Sequence, residues 1–143
     1  AVSERQKAMR ALVLAQAPNQ APGQAQVYSD YGFMILGFLL EELTGRSLDD
    51  AVRRLVWTAW GVPDACFVRS VFAPPELPSV FRNRVVAATE CCPWRGSVLV
   101  GQVHDDNAWA MGGYAGHAGA FGTIQTLHRF SQELWSRVVS PQT

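Results

Sequence analysis

The sequence predicts a chain that is mainly α with a small β-hairpin. Three observations lead to this fold class: apolar residues recur at helical spacing in four segments, two short segments are rich in β-branched residues, and a glycine-rich run interrupts both patterns. With 143 residues and 48% hydrophobic content, the chain is long enough to bury a core of its own. We therefore expect a single domain over residues 1–143.

The most apolar helix is predicted directly after Tyr28-Ser29-Asp30. Ser29 or Asp30 can accept hydrogen bonds from the free N–H groups of its first turn, and Gly45 suits the left-handed residue that ends a last turn. Apolar residues fall on nearly every face between these positions, which predicts burial on most sides. The apolar run 31–40 is too short to cross a bilayer, so we expect this burial within protein and no membrane span.

Further helices are predicted over residues 3–17, 47–60 and 123–138. The second of these opens with Ser47-Leu-Asp-Asp50, which resembles a capping box. The inward stripe expected for the last one consists of Ile124, Leu127, Phe130, Leu134 and Trp135.

The strand and loop signals lie between these helices. Residues 80–89 and 97–103 predict two short strands joined by the turn 90–96. A short helix is expected over residues 104–111, started by Asp105 or Asp106. The run 112–122 contains five glycines and is expected to be irregular, because glycine inside a regular element costs backbone entropy.

Charge and cysteine content exclude some partners and leave the compartment open. The formal net charge is zero, whereas nucleic acids and anionic membranes attract a basic field, so neither is expected as the main partner. Cys66, Cys91 and Cys92 cannot form a closed set of disulfides, and the sequence does not assign their state. Residues 1–10 are polar and show no signal-peptide pattern, which leaves the localisation undecided.

Four stretches of the chain resemble segments of the serine β-lactamases of the class C type, the penicillin-binding proteins and related esterases. They occur in the same order as in that family. Tyr28-Ser29-Asp30 is similar to the family's Tyr-x-Asn element, and Pro22-Gly23 precedes it. Residues 44–49 and 103–119 agree with later family segments, so the resemblance covers roughly residues 9–135. It implies the helical portion of a β-lactamase-like α+β fold, in a family whose members are often exported or periplasmic.

The resemblance also implies a chemistry. In that family a serine in Ser-x-x-Lys attacks a carbonyl carbon, and the tyrosine of Tyr-x-Asn relays the proton. Tyr28 would be the catalytic tyrosine, Asp30 a substrate contact, and a β-lactam, ester or peptide carbonyl the substrate, with no metal or organic cofactor. Asp30 departs from the usual asparagine, and a carboxylate lacks the amide N–H₂ donor that could hold a substrate carbonyl.

The nucleophile of this mechanism is missing from the chain. The only lysine is Lys7, and the residue three positions before it is Glu4, so neither Ser-x-x-Lys nor Lys-Thr-Gly occurs. We therefore expect a fragment of a larger β-lactamase-like domain that is inactive alone and supplies the tyrosine wall of the pocket. The alternative is a catalytically silent helical binding or interaction module derived from that fold.

Each candidate residue also has a purely structural interpretation. A loop tyrosine packed beside the helix accounts for Tyr28, and an N-cap accounts for Asp30. His117 lies in Gly116-His-Ala-Gly119, where the glycines permit either the close approach of a ligand or a tight turn. We take Tyr28 as the catalytic candidate, and Asp30 and His117 as the candidates for binding substrate.

A zinc site is the remaining hypothesis. Three histidines and two carboxylates could supply its ligands: His104, Asp105, Asp106, His117 and His128. Their spacing matches no compact ligand pattern, and a helix cap is expected at the two aspartates. The sequence therefore predicts no metal site.

Overall fold

The described part of the chain folds into helices and two short antiparallel pairs of strands. The computed structural model describes residues 4–62, 64–69, 79–81 and 83–140. The helices in these ranges are α1 (Glu4–Leu14), α2 (Asp30–Thr44), α3 (Leu48–Val52), α4 (Asp106–Ala110) and α5 (Ile124–Leu134). The strands there are β1 (Cys66–Phe67), β2 (Ala88–Cys92), β3 (Ser97–Val100) and β4 (Ala120–Phe121).

Two of the helices change their winding near the end. α3 continues into a π-helical segment, Arg53–Thr58, and α5 continues into another, Trp135–Val139. A short 3₁₀ helix covers Ser79–Phe81. The predicted helices over 47–60 and 123–138 thus exist, although each is only partly α-helical.

Helix α2 ends as the sequence predicts and begins differently. Gly45 adopts the left-handed conformation with φ of 63°, and its N–H donates to the carbonyl of Glu41 at 2.9 Å. Ser29 is the N-cap residue, but its side chain accepts no hydrogen bond from the first turn. Asp30 is the first helical residue and not the cap, so the prediction that a side chain closes this end is wrong.

The core forms where α1 and α2 meet α4 and the glycine-rich run. Its buried residues are Val13, Met34, Val103, Ala108, Met111 and Ala115. Val13 lies in α1 and Met34 in α2, whereas the other members lie in α4 or within a few residues of it in the sequence. The polar residues that flank α4 are therefore held against the first half of α2.

Both pairs of strands are antiparallel and small. β2 pairs with β3 as the predicted hairpin, with Cys92 opposite Ser97 and a turn over residues 93–96. The first strand begins at Ala88 and not at residue 80, and it ends later than predicted, because Glu90, Cys91 and Cys92 belong to it and not to the turn. β1 pairs with β4, an association that the sequence did not predict, with Cys66 opposite Phe121.

Burial of α2 and α5 differs from the expectation. In α2 only Met34 and Gly37 are buried, and its exposed apolar side chains are Tyr31, Phe33, Ile35, Leu36, Leu39 and Leu43. In α5 the predicted inward stripe is largely on the surface, with Ile124 72% and Leu127 58% exposed. The periodicity identifies these apolar faces, but the described part of the chain leaves most of their area exposed; in the α5 stripe, Phe130 stacks on Trp60.

The start of α3 does not use the capping box. Ser47 makes no cap hydrogen bond; instead the Leu48 N–H donates to the Glu41 carboxylate at 2.9 Å. Glu41 of α2 thereby holds the first residue of α3 and ties the two helices together. Nowhere in the described residues does a helix have the length and apolar character that a membrane crossing requires.

Candidate functional site

Tyr28 lies at the entrance to α2 with its side chain in solvent. It is 82% exposed, and its ring centroid is 6.3 Å from that of Phe33. Ser29 between Tyr28 and Asp30 is extended, with φ of −151° and ψ of 124°. Because side chains two residues apart in extended backbone point to the same side, Tyr28 and Asp30 are directed to one face of the helix entrance.

Asp30 stands beside two residues from distant parts of the chain. One carboxylate oxygen of Asp30, one of Asp105 and one ring nitrogen of His117 all lie within 4.8 Å of one another. We call these three residues the Asp30–Asp105–His117 cluster. Asp30 is half-buried, and no described residue forms a hydrogen bond or ion pair with its carboxylate.

His117 reaches this cluster because its loop packs against the backbone of α2. Ala115 and Ala118 form an isolated β-bridge, which makes the loop a tight turn. A Cβ placed on Gly116 would lie 1.9 Å from the carbonyl oxygen of Phe33, so only glycine fits there. Gly116 therefore lets this turn pack directly on the α2 backbone.

The His117 ring is almost wholly enclosed. Its side chain is 2% exposed, and Nε2 lies 2.8 Å from Oδ1 of Asp105. Because a carboxylate can only accept, we assign the ring proton to Nε2. The other ring nitrogen, Nδ1, is buried and has no hydrogen-bond partner among the described residues. One buried lone pair of His117 is therefore available to a ligand.

Asp105 also has a structural role, because it begins helix α4. It is the N-cap of α4, as the sequence predicts, and its Oδ1 accepts the Ala108 N–H at 2.7 Å. Burial alone would raise the pKa of Asp105. The Ala108 and Asn107 N–H groups and His117 stabilise its carboxylate more strongly, so this pKa lies below its usual value.

Arg95 holds the segment that carries Asp105, and sequence reasoning did not find this role. Its guanidinium, 6% exposed, donates to the carbonyls of Val103 at 2.8 Å and His104 at 3.0 Å, and to the Asp106 carboxylate at 2.5 Å. It also packs on two indole rings, 4.8 Å from the centroid of Trp94 and 5.1 Å from that of Trp109. The sequence contains no signal for this, because Arg95 is one of eleven arginines without a motif.

The other polar residues of the zinc hypothesis lie apart from the cluster. His104 is mostly exposed, with Nε2 3.5 Å from a carboxylate oxygen of Glu90. Asp106 faces Arg95, and His128 is exposed on α5. The structure thus brings together Asp105 and His117 from that set and adds Asp30.

Comparison with known proteins agrees with the four sequence stretches. A family model described as Beta-lactamase matches residues 2–142. Similar curated proteins include those named "Putative D-alanyl-D-alanine carboxypeptidase" from Salmonella paratyphi B, Salmonella newport and Salmonella agona, each 36% identical over 108 residues. The match covers 70% of this chain and 24% of each relative, so the chain spans only that small share of the relatives' length. No solved structure gives a significant match.

Proposed function

The chain belongs to the β-lactamase family, and from that premise we propose that it supplies the tyrosine wall of a serine-hydrolase pocket. Tyr28 relays the proton during acylation and deacylation, and Asp30 and His117 contact the substrate. Residues 1–143 then form the helical portion of a larger β-lactamase-like domain, and the nucleophilic serine belongs to another part of that domain.

The observation that carries the proposal is the position of Tyr28. A phenol that is 82% exposed, two residues before a polar cluster at the entrance of a helix, is accessible to a substrate. The ring of Phe33, 6.3 Å away, leaves the Tyr28 phenol in solvent. The hydroxyl is therefore accessible to a reacting group, which is what a proton relay requires.

The substrate proposed is a small acyl compound with a carbonyl group. β-Lactams, esters and peptides all present a carbonyl carbon to the serine, and the name of the Salmonella relatives favours peptides that end in D-alanyl-D-alanine. The apolar faces of α2 and α5 support the larger domain, since a second layer of structure would bury them.

The test compares Tyr28→Phe with Tyr31→Phe in the reading frame that contains this chain. Nitrocefin and p-nitrophenyl ester turnover should fall about 100-fold or more for Tyr28→Phe, because general acid–base catalysis contributes at least that factor. Tyr31→Phe removes the next phenol along the chain, 47% exposed, and should leave turnover nearly unchanged.

The same assay on the 143-residue chain alone should give no turnover. Turnover by this chain that Tyr28→Phe abolishes would mean that the nucleophile lies within it, contrary to the proposal. Equal activity of wild type and Tyr28→Phe in the longer frame would leave the silent binding module as the better account.

A further inference from the structure

We propose that the cavity between α1, α2 and the glycine-rich run binds a small organic acid, whose carboxylate is held by Arg10, Arg69 and Tyr114. The cavity has a volume of about 390 Å³, which lies within the range of small-molecule sites. The inference goes beyond the hydrolase role and does not rest on it, because it requires no nucleophile and no reaction.

The cavity lies further along α2 than the helix entrance. Its lining on α2 begins at Gly37 and ends at Glu41, whereas the helix begins at Asp30. With a rise of 1.5 Å per residue, this lining is about 10–16 Å from the start of the helix. Neither Tyr28 nor His117 lines the cavity, so a ligand there leaves the Tyr28 phenol accessible.

One part of the cavity wall is apolar and belongs to the packed interior. Leu48 and Met111 are buried, and Phe38 packs against the core. At about 30 Å³ for each water-sized group, the cavity has room for roughly a dozen non-hydrogen atoms. This wall therefore suits a short apolar or aromatic body.

Two arginines lie over aromatic rings that also line the cavity. The guanidinium carbon of Arg10 is 4.9 Å from the ring centroid of Phe38, and that of Arg69 is 5.9 Å from the ring centroid of Tyr114. Stacking on a ring orients a planar guanidinium without using its N–H donors. Each arginine therefore keeps donors for a carboxylate, which it can hold through two parallel hydrogen bonds.

The ion pairs of these arginines face solvent and are weak competitors. Arg10 pairs with Glu42 at 2.6 Å, where Glu42 is 71% exposed, and its contact with Glu41 is a long 3.5 Å. Arg69 pairs with Asp49 at 3.1 Å, and its own side chain is mostly exposed. Because exposed pairs contribute little free energy, either guanidinium can exchange such a contact for a ligand carboxylate.

Tyr114 supplies the third donor. Its buried ring is stacked on that of Phe67, with 4.8 Å between the centroids. Burial, followed by the charges of Asp49 and Glu41, raises the pKa of Tyr114 against the opposing effect of Arg69, so the phenol keeps its proton. Because a guanidinium only donates, Arg69 engages the phenol oxygen and leaves the phenol hydrogen for a ligand.

The polar groups of the cavity favour an anion over an amine. Glu41 is the one carboxylate among the described lining residues, and it already accepts the Leu48 N–H at 2.9 Å and faces Arg10. The acceptor is therefore occupied, whereas Arg10, Arg69 and Tyr114 can still donate. Three donors beside an apolar wall match a carboxylate attached to an apolar body.

The experiment titrates the 143-residue chain with 3-phenylpropionate and with its neutral amide, which has the same size, by isothermal calorimetry. We expect saturable 1:1 binding of the acid, at least about tenfold tighter than that of the amide, because hydrogen bonds to a charged group are the stronger ones. Arg69→Gln and Tyr114→Phe should each weaken binding of the acid at least about tenfold. Arg84→Gln, which removes an exposed arginine that does not line the cavity, should leave it unchanged.

Three results would overturn the site: no saturable binding, equal affinity for the acid and the amide, or acid binding that survives both substitutions. Circular dichroism of each variant checks folding. Tyr114→Phe provides the test if Arg69→Gln does not fold, because it keeps the ring that stacks on Phe67. Tyr28→Phe should bind the acid normally, so the acid site and the hydrolase role can fail separately.

Discussion

Replacement of Gly116 by alanine should separate the His117 loop from α2. The new Cβ would lie 1.9 Å from the carbonyl oxygen of Phe33, whereas a carbon and an oxygen in contact are about 3.3 Å apart. The two backbones must therefore move apart by roughly 1.4 Å, and neither can yield as a flexible side chain would. Overpacking of this kind costs about 1–3 kcal/mol, and we expect the upper end, about 3 kcal/mol.

The assay is urea unfolding followed by circular dichroism, with two glycine variants as controls. Gly32→Ala on α2 points into open space and should stabilise the helix by up to about 1 kcal/mol. Gly96→Ala also meets no atom but has φ of 66°, so it should cost only the roughly 1–2 kcal/mol of left-handed backbone strain.

Gly116→Ala should also move His117 away from Asp30, because Gly116 directly precedes His117. If Gly116→Ala unfolds within about 0.5 kcal/mol of the wild type, the close contact between this loop and α2 does not exist in solution. The account of how His117 reaches the helix entrance would then be wrong.

Two further predictions concern Arg95 and Cys66. Arg95→Gln should lower the free energy of unfolding by about 2–3 kcal/mol, because the carbonyls of Val103 and His104 lose charged donors. Arg84→Gln, which breaks an exposed pair with Asp64, should cost less than about 0.5 kcal/mol. Equal urea midpoints for the two variants would contradict this. Burial and then the charge of Asp64 raise the pKa of Cys66 to about 11, so its alkylation by iodoacetamide should keep accelerating towards that pH. The folded pKa of Cys66 exceeds the unfolded value of about 8.5, so the protonated thiol stabilises the folded chain below pH ~8.5. That contribution to the free energy of unfolding is lost as the pH rises towards 11, and a Cys66→Ala chain should lack the loss. A Cys66 alkylation rate that levels off near pH 9 would refute the assignment.

Features set by neighbouring residues could be predicted from the sequence. Gly45 ends α2, Asp105 caps α4, and residues 93–96 form the turn of the hairpin. Each of these depends on hydrogen bonds within a few residues, so the residue types are sufficient to indicate it. The prediction of a Ser47 cap was wrong: Ser47 makes no cap hydrogen bond, and the start of α3 is held instead by a carboxylate from another helix, because Glu41 accepts the Leu48 N–H.

The cluster could not be predicted because it is tertiary. Asp30 and Asp105 are 75 positions apart in the sequence, and they meet because α2 packs against α4 in the core and against the loop at Gly116. The zinc site was judged from the sequence by the spacing of its candidate ligands along the chain. Spacing is a sound test only when the ligands lie on one helix, strand or loop. The resemblance singled out Tyr28 and Asp30 as candidates and the glycines singled out His117, but the arrangement of these three residues required coordinates.

Helix α2 joins the stability of the fold to the proposed chemistry. The flank of α2 is apolar and exposed. Its first residue is Asp30, which lies beside Asp105 and His117, and the Tyr28 phenol lies at its entrance. In the proposed larger domain, a second layer packs on the exposed flank, since apolar surface of this extent gains free energy only by leaving water. That packing would also bring the residues of the second layer next to the helix entrance, where the serine is needed. The hydrophobic contact that completes the fold would therefore be the same contact that assembles the pocket.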